Sequence, residues 1–217
     1  MATALIAPIV FANERDEVDR AATTMQQIQT MPDRGIPQSI IHNAQGLAII
    51  RIYKAAAGFS GRVGSGVVVA RTKNGWSGPA FVSIGGAGWG PQIGVQATDF
   101  VFVLNNRNAV DAFSRGANLT LGGDLSVTAG PMGRNAEAGV TPIAAVYTYS
   151  QSKGLFVGAS LEGAILASRP SADREFYGRD VSPRAILNGW VKAPRAAAPL
   201  SVALMGHQHT SMGMTQR

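Results

Sequence analysis

Four glycines within nine residues, with an arginine on either side of the last of them, make GFSGRVGSGVVVAR (residues 58–71) the first place to look for chemistry. A glycine-rich turn that opens a helix aims its free N–H groups at a pyrophosphate. That chemistry needs a strand before the glycines and a helix after them. Here Gly61, Gly64 and Gly66 lead into Val67, Val68 and Val69, β-branched residues that favour a pleated strand. The Gly-Lys-Ser/Thr ending of a nucleotide loop is also missing. The stretch therefore reads as a glycine-rich strand and turn carrying Arg62 and Arg71.

Other chemistry-bearing residues are sparse. The chain has three histidines and no cysteine, so disulfides and thiolate metal sites are excluded and no oxidising compartment is implied. His207 and His209, with Met205 and Met212 nearby, lie in a tail without a structured third ligand, and no metal site is expected. His42 reads as a packed or capping residue, since no serine nucleophile motif accompanies it. Asp99, Asp111, Asp124, Glu137 and Glu162 fall on separate elements, so spacing pairs no two of them for acid and base work. Asp99 and Asp124 read as turn or backbone-capping residues. The aromatics sit among apolar runs and not in basic ribbons, which argues against nucleic acid.

These residues must be positioned by elements that the composition constrains. With 217 residues, 46% of them apolar, the chain can build one good core, and 26 glycines point to turns and close backbone approaches, not a helical bundle. The net charge of +6 is uneven: residues 1–50 hold three Lys/Arg against five Asp/Glu, and residues 51–217 hold sixteen against eight. A basic body fits an acidic partner. The apolar stretch MATALIAPIVFA at residues 1–12 is too short to span a bilayer and lacks a basic leader, so it reads as an uncleaved end.

From Asn13, a possible N-cap, the spacing of Val18, Ala21, Ala22, Met25, Ile28 and Met31 predicts an amphipathic helix with acids in its first turn. Asp33-Arg34-Gly35 ends it, and Pro37 opens a second short helix closed by Gly46. The texture then changes to LAIIRIY, GVVVAR, PAFVSIG, PQIGVQA and DFVFVLN, read as strands, with Lys73-Asn74-Gly75 as a hairpin turn. Asn106 caps a helix through Ala109, Val110 and Phe113. NLTLGG, LSVTAG, IAAVYTYS and GLFVGASLEG resume the strands, with Ser152-Lys153-Gly154 as a turn. SADREFYG and SPRAILNG each open at a serine and stop at a glycine, as short helices do. From Ala193 the pattern predicts an extended, then disordered, tail.

The expected fold is α+β but mainly β: an antiparallel barrel or sandwich of short glycine-rich strands with an N-terminal helical preface and a few packed helices. The expected division is 1–35 for the apolar segment and helix, 36–192 for the globular domain and 193–217 for a flexible tail. Gly61, Gly64, Gly66, Gly85, Gly86, Gly88, Gly122 and Gly123 are expected to be structural, at bulges, turns or close strand approaches.

The stretches IPQSIIHNAQGLAII, KAAAGFSGRVGSGVVVAR, GGAGWGPQIGVQATDFVFVLN, AVDAFSRGANLTLGGDLSVTAGPMGRNAEA, VYTYSQSKGLFVGASLEG and FYGRDVSPRAILNG, from about Ile36 to Gly189, resemble a SYLF domain. This is the lipid- and actin-binding module of yeast endocytic proteins and their animal relatives. The resemblance implies binding without catalysis and without a cofactor. Related domains associate with phosphoinositide-containing membranes, and fungal ones bind and bundle actin filaments. On that footing the expected function is a peripheral module of membrane trafficking or endocytosis, cytoplasmic and membrane-associated, that recognises anionic headgroups through Lys54, Arg62, Arg71 and Lys73. Actin filament bundling by the same basic surface is the alternative, and an enzyme that gathers the scattered carboxylates comes last. An open sheet edge or the apolar N-terminus leaves an oligomer possible.

Overall fold

The protein is described from a computed structural model at residues 13–31, 35–115, 119–121, 127–129, 145–150 and 164–205. The expectations for residues 1–12, the Ser152-Lys153-Gly154 turn and the strand GLFVGASLEG lie outside the described residues. So do those for Gly122, Gly123, Asp124, Glu137, Glu162, His207, His209 and Met212.

Helix α1 (Glu14–Thr30) begins as the sequence predicts, with the Asn13 side chain accepting a bond from the Arg15 N–H and Glu14, Asp16 and Glu17 in the first turn. Val18, Ala21, Ala22, Met25 and Ile28 are all buried. In α2 (Gln38–Asn43) Pro37 is the N-cap, one place earlier than expected.

The five short runs read from the sequence are instead parts of two long strands joined through a short one. β1 (Gly46–Thr72) has 27 residues and β3 (Ala80–Leu104) has 25, with β2 (Gly75–Trp76) in the hairpin between them. Glycine weakens a strand without ending it, so the ladder continues through every glycine that punctuates the sequence. The break in register falls between Ala57 and Phe59, whose partners are Ile93 and Trp89. That bulge lets the ribbon bend. The Lys73-Asn74-Gly75 turn forms as expected, with Gly75 at a φ of 106°.

The bend returns β1 to its own start. The Arg71 N–H donates to the Gln45 carbonyl at 2.8 Å, and the Gln45 N–H donates to Leu104 at 2.9 Å. The result is a curled antiparallel half-barrel with strand order β2-β1-β3-β6-β5. β6 (Val146–Ser150) pairs with the Phe100–Leu104 end of β3, and β7 (Ile165–Ser168), which the sequence reading did not identify as a strand, pairs with its Val82–Gly85 end. β4 (Leu119–Thr120) continues antiparallel from β7. β5 (Val127–Ala129) runs parallel to β6, the one departure from the antiparallel pattern among the described residues.

Side chains alternate across β1, and both faces are covered. Ala48, Ile50, Ile52, Val68 and Ala70 share one core with Val110 and Phe113 of α3 (Arg107–Ser114) and with Ile186 and Leu187 of α5 (Pro183–Leu187). Leu47, Ile49, Val67 and Val69 share the other with Val18, Met25 and Ile28 of α1. A sheet buried on two sides carries continuous apolar runs, which is why VVVA and FVFVL show little alternation. The second core also holds Leu200, Ala203 and Leu204 of α6 (Ala198–Met205), entered through a single 3-10 turn at Arg195–Ala197. The extended tail expected here is therefore helical up to Met205. Its periodicity was illegible because α6 is apolar on nearly every side.

The remaining caps follow local chemistry. Asn106 accepts from the Ala109 N–H, and Ser182 accepts from the Ala185 N–H. α4 (Pro170–Tyr177) opens on Pro170 with Arg169 as N-cap, in place of the expected serine, and stops at Gly178 with a φ of 67°.

Candidate functional site

The four cations singled out from the sequence do not form one patch. Lys54 and Arg62 lie on the body of the β1–β3 ribbon, opposite Gln96 and Gly86, whereas Arg71 and Lys73 stand at the hairpin end. Arg62 and Arg71 are nine residues apart, about 30 Å of strand. The structure thus brings together Arg71 and Lys73 and separates them from Arg62.

Arg62 is half-buried, and its side chain lies across a glycine floor. A Cβ added at Gly86 would sit 3.3 Å from its Cγ, Cδ and Nε, and one added at Gly88 would sit 3.5 Å from its Nη2. Its Nη1 is buried without a hydrogen-bond partner among the described residues. Burial alone pushes the guanidinium pKa down, as expected for a cation partly removed from water with no carboxylate in return. Arg71 is differently placed. Its guanidinium lies 4.0 Å from the Trp76 ring centroid and donates to the Ile41 carbonyl at 3.4 Å, a stacked and partly capped arrangement. Lys73 is exposed in the turn.

The glycines divide by what surrounds them. A Cβ at Gly66 would be 2.0 Å from the Ile49 carbonyl oxygen, and one at Gly64 would be 2.3 Å from that of Arg51. At these two positions the second half of β1 passes the backbone of the first. Gly61 and Gly85 have nothing within 4 Å, and their open side is the face of the ribbon opposite the Arg62 side chain, because Gly61 adjoins Arg62 in β1 and Gly85 pairs with Val63. The glycine-rich tract is therefore partly a crossing point of the strand, and the glycines under the Arg62 side chain are Gly86 and Gly88 of the neighbouring strand.

Two residues differ from their expected roles. Asp99 is not a turn residue; it sits within β3 opposite Arg51, whose Nε donates to Oδ1 at 2.7 Å and whose second nitrogen reaches Oδ2 at 2.5 Å. A cross-strand partner is invisible until the register is known. His42, expected to pack or cap, is exposed in the last turn of α2.

The buried carboxylates that the structure does pair were not candidates. Glu17 accepts from the Ser65 hydroxyl at 2.8 Å and from Arg169 at 2.7 Å, and Arg169 also faces Glu14 at 3.7 Å. Desolvation nevertheless raises the Glu17 pKa. Asp173, fully buried, accepts from the Phe81 N–H at 2.9 Å, and burial pushes its pKa up to about 7. Both tie helices to strands: Glu17 holds α1 to β1, and Asp173 holds α4 to β3. Among the described residues no three His, Cys, Asp or Glu side chains stand close enough to hold a metal ion, and no helix is long and apolar enough to cross a membrane.

The residues that sequence reasoning missed are arginines. Arg107, Arg115 and Arg184 line one cleft between α3 and α5, yet lie up to 77 positions apart (184 − 107) in the chain. No local motif marks them. The one available signal was that each falls at or beside the end of a predicted short helix.

Comparison with known proteins gives a consistent result. The family described as Ysc84, Las17-binding protein actin regulator, matches residues 85–207. Protein YSC84 of Saccharomyces cerevisiae is 50% identical over 173 residues, 77% of this chain and 37% of that protein. LAS seventeen-binding protein 3 of the same yeast is 49% identical over 173 residues, 77% of this chain and 38% of that protein. The human SH3 domain-containing YSC84-like protein 1 is 43% identical over 197 residues, 87% of this chain and 58% of that protein. The chain thus spans between about a third and three-fifths of the length of these relatives. The family match covers more than half of the chain and includes most of β3, all of α3 to α6 and strands β4 to β7, so the chain belongs to the Ysc84 (SYLF) family.

Proposed function

We propose that this chain is a non-catalytic module that docks on phosphate-bearing membrane surfaces, phosphoinositide-containing ones first, and serves the actin machinery peripherally at the cytoplasmic face of membranes, in endocytosis. The observation that carries the reading is Arg62. A half-buried guanidinium laid over Gly86 and Gly88, without a carboxylate among the described residues, is a cation that lacks an anion. An arginine fork donates two parallel hydrogen bonds to a phosphate, and Gly86 and Gly88 add no side chain to the face on which Arg62 lies. Lys54 lies on the same ribbon, and Arg71 with Lys73 make a second basic point at its hairpin end. The net charge of +8 carried by residues 51–217 draws the module toward an acidic membrane.

A second reading is favoured by the family description as an actin regulator and by a relative named for binding LAS seventeen. On that reading the basic surface meets actin filaments or their regulator. Vesicle flotation and filament cosedimentation of Arg62→Glu separate the two. The membrane reading expects the variant to lose about tenfold or more in affinity for phosphoinositide vesicles, since a surface charge is worth about 1 kcal/mol and reversal counts twice. Cosedimentation should be less affected. Unchanged flotation with lost cosedimentation would transfer the surface to actin.

A further inference from the structure

The cleft between α3 and α5 has the chemistry of a polyphosphate site. Arg107, Arg115 and Arg184 converge on a concavity of about 400 Å³, with one carboxylate, Asp111, on its wall. Three cations against one anion leave a charge of about +2 in a hollow at neutral pH. Arg107 is already engaged: its Nε faces Asp111 at 3.6 Å, its Nη1 donates to the Arg71 carbonyl at 3.3 Å and its Nη2 donates to the Asn188 amide oxygen. Those contacts satisfy Asp111 and hold the Arg107 fork in place. The side chains of Arg115 and Arg184 are exposed and have neither hydrogen bond nor ion pair among the described residues. Guanidinium groups gathered without counterions repel one another, and an anion that bridges them removes that cost.

The size and rim of the cleft narrow the ligand. A volume near 400 Å³ falls in the range of small-molecule sites, about 300–1,000 Å³, and exceeds what a single phosphate ion fills. Trp190, at the edge of the cleft, is 72% exposed, more than any other large apolar side chain among the described residues. An exposed indole beside a cationic hollow suits the boundary between headgroup and acyl chain, where tryptophan is enriched. The cleft also adjoins the hairpin end of the ribbon, through the Arg107 bond to Arg71 and the approach of Gly189 to Thr72, where an added Cβ would meet the threonine methyl at 2.9 Å. The Arg71 side chain turns to the other face of the sheet, onto Trp76 and the Ile41 carbonyl, so the charge of the cleft is that of its own three arginines.

We infer that Arg107, Arg115 and Arg184, with Trp190 at the rim, form a binding site for a multiply phosphorylated headgroup, separate from Arg62. This inference rests on the membrane reading for the source of the ligand, while the site itself requires only the phosphate chemistry.

The test uses the full chain and the double variant Arg115→Glu/Arg184→Glu, both exposed positions, after circular dichroism confirms an unchanged fold. Two probes are compared: inositol hexakisphosphate in solution by calorimetry, and phosphatidylcholine vesicles with or without phosphatidylinositol bisphosphate by flotation. The expected result is that the wild type binds both phosphorylated probes and the variant loses at least about tenfold with each. The Trp190 emission, isolated by difference from Trp190→Phe, should shift to the blue on phosphoinositide vesicles alone. Binding of the soluble polyphosphate without flotation, lost in the variant, supports the cleft with a free polyphosphate as ligand and removes the membrane reading. Flotation of the variant equal to wild type overturns the cleft and leaves the membrane reading standing on Arg62. A wild type that binds neither probe overturns both.

Discussion

Replacing Gly66 by alanine should be among the most damaging single changes in the molecule, and replacing Gly61, five residues earlier in the same strand, among the mildest. The added Cβ at Gly66 would lie 2.0 Å from the Ile49 carbonyl oxygen and 2.7 Å from the Ile50 Cα. Real Cβ atoms essentially never approach a heavy atom closer than 3.0 Å, so the two halves of β1 must separate by at least about 1 Å. The obstruction is backbone on both sides and cannot rotate away. Overpacking of a tight interior costs about 1–3 kcal/mol, and separating the halves also strains the hydrogen bond between Arg71 and Gln45, so about 3–5 kcal/mol is expected. At about 2–4 °C per kcal/mol for a domain of this size, the melting temperature should fall by roughly 6–20 °C. Gly61 is exposed with nothing within 4 Å of the added carbon and has no positive φ, so alanine there should change stability by less than about 1 kcal/mol. Thermal melts of the two variants, followed by circular dichroism at one pH, make the comparison. Equal melting temperatures would refute the claim that β1 crosses itself at Gly66.

Other outcomes follow from the buried groups. Asp173 has a folded pKa of about 7 against an ordinary value of 3.8, so between roughly pH 4 and 7 the folded state holds a proton that the unfolded state has released. Stability should therefore decline as pH rises through that window, by up to about 4 kcal/mol, and stay level above it. Asp173→Asn keeps an oxygen for the Phe81 N–H and removes the buried charge, so denaturant melts should show a flatter profile and a gain at pH 8; a profile identical to wild type would contradict the assignment. Leu200→Ala, at a fully buried position of α6, should cost about 2–5 kcal/mol in the same assay, whereas a flexible tail would lose nothing. Glu17→Ala should release α1 from Ser65 and Arg169 and cost about 3–5 kcal/mol, detectable as early amide exchange in α1.

Much of the fold was legible because its signals are local. Asn13, Asn106 and Ser182 mark helix starts by their side chains, Lys73-Asn74-Gly75 marks the hairpin by the φ that Gly75 must adopt, and the α1 stripe from Val18 to Ile28 marks its buried face. The continuity of β1 and β3 was hidden because glycine looks like punctuation in a sequence, while in the ladder it is only a residue without a side chain. α6 was hidden because its exposed side, with Val202 and Met205, is as apolar as its buried one, so it has no stripe to detect. The site followed the same division. The glycine tract and Arg62 stand out as a local motif, and the valines after it correctly removed a nucleotide loop. The convergence of Arg107, Arg115 and Arg184 and the pairing of Arg51 with Asp99 depend on tertiary register, which spacing along the chain does not encode.

The central claim is that the basic surface binds phosphate-bearing membranes, and wild-type flotation tests it most directly. The protein is mixed at low salt with phosphatidylcholine vesicles, with the same vesicles containing phosphatidylinositol bisphosphate, and, in parallel, with actin filaments for sedimentation. The account predicts flotation with the phosphoinositide vesicles only, weakening steadily as salt screens the arginine contacts. Protein that stays at the bottom of the gradient with both vesicle types, while pelleting with filaments, would contradict it.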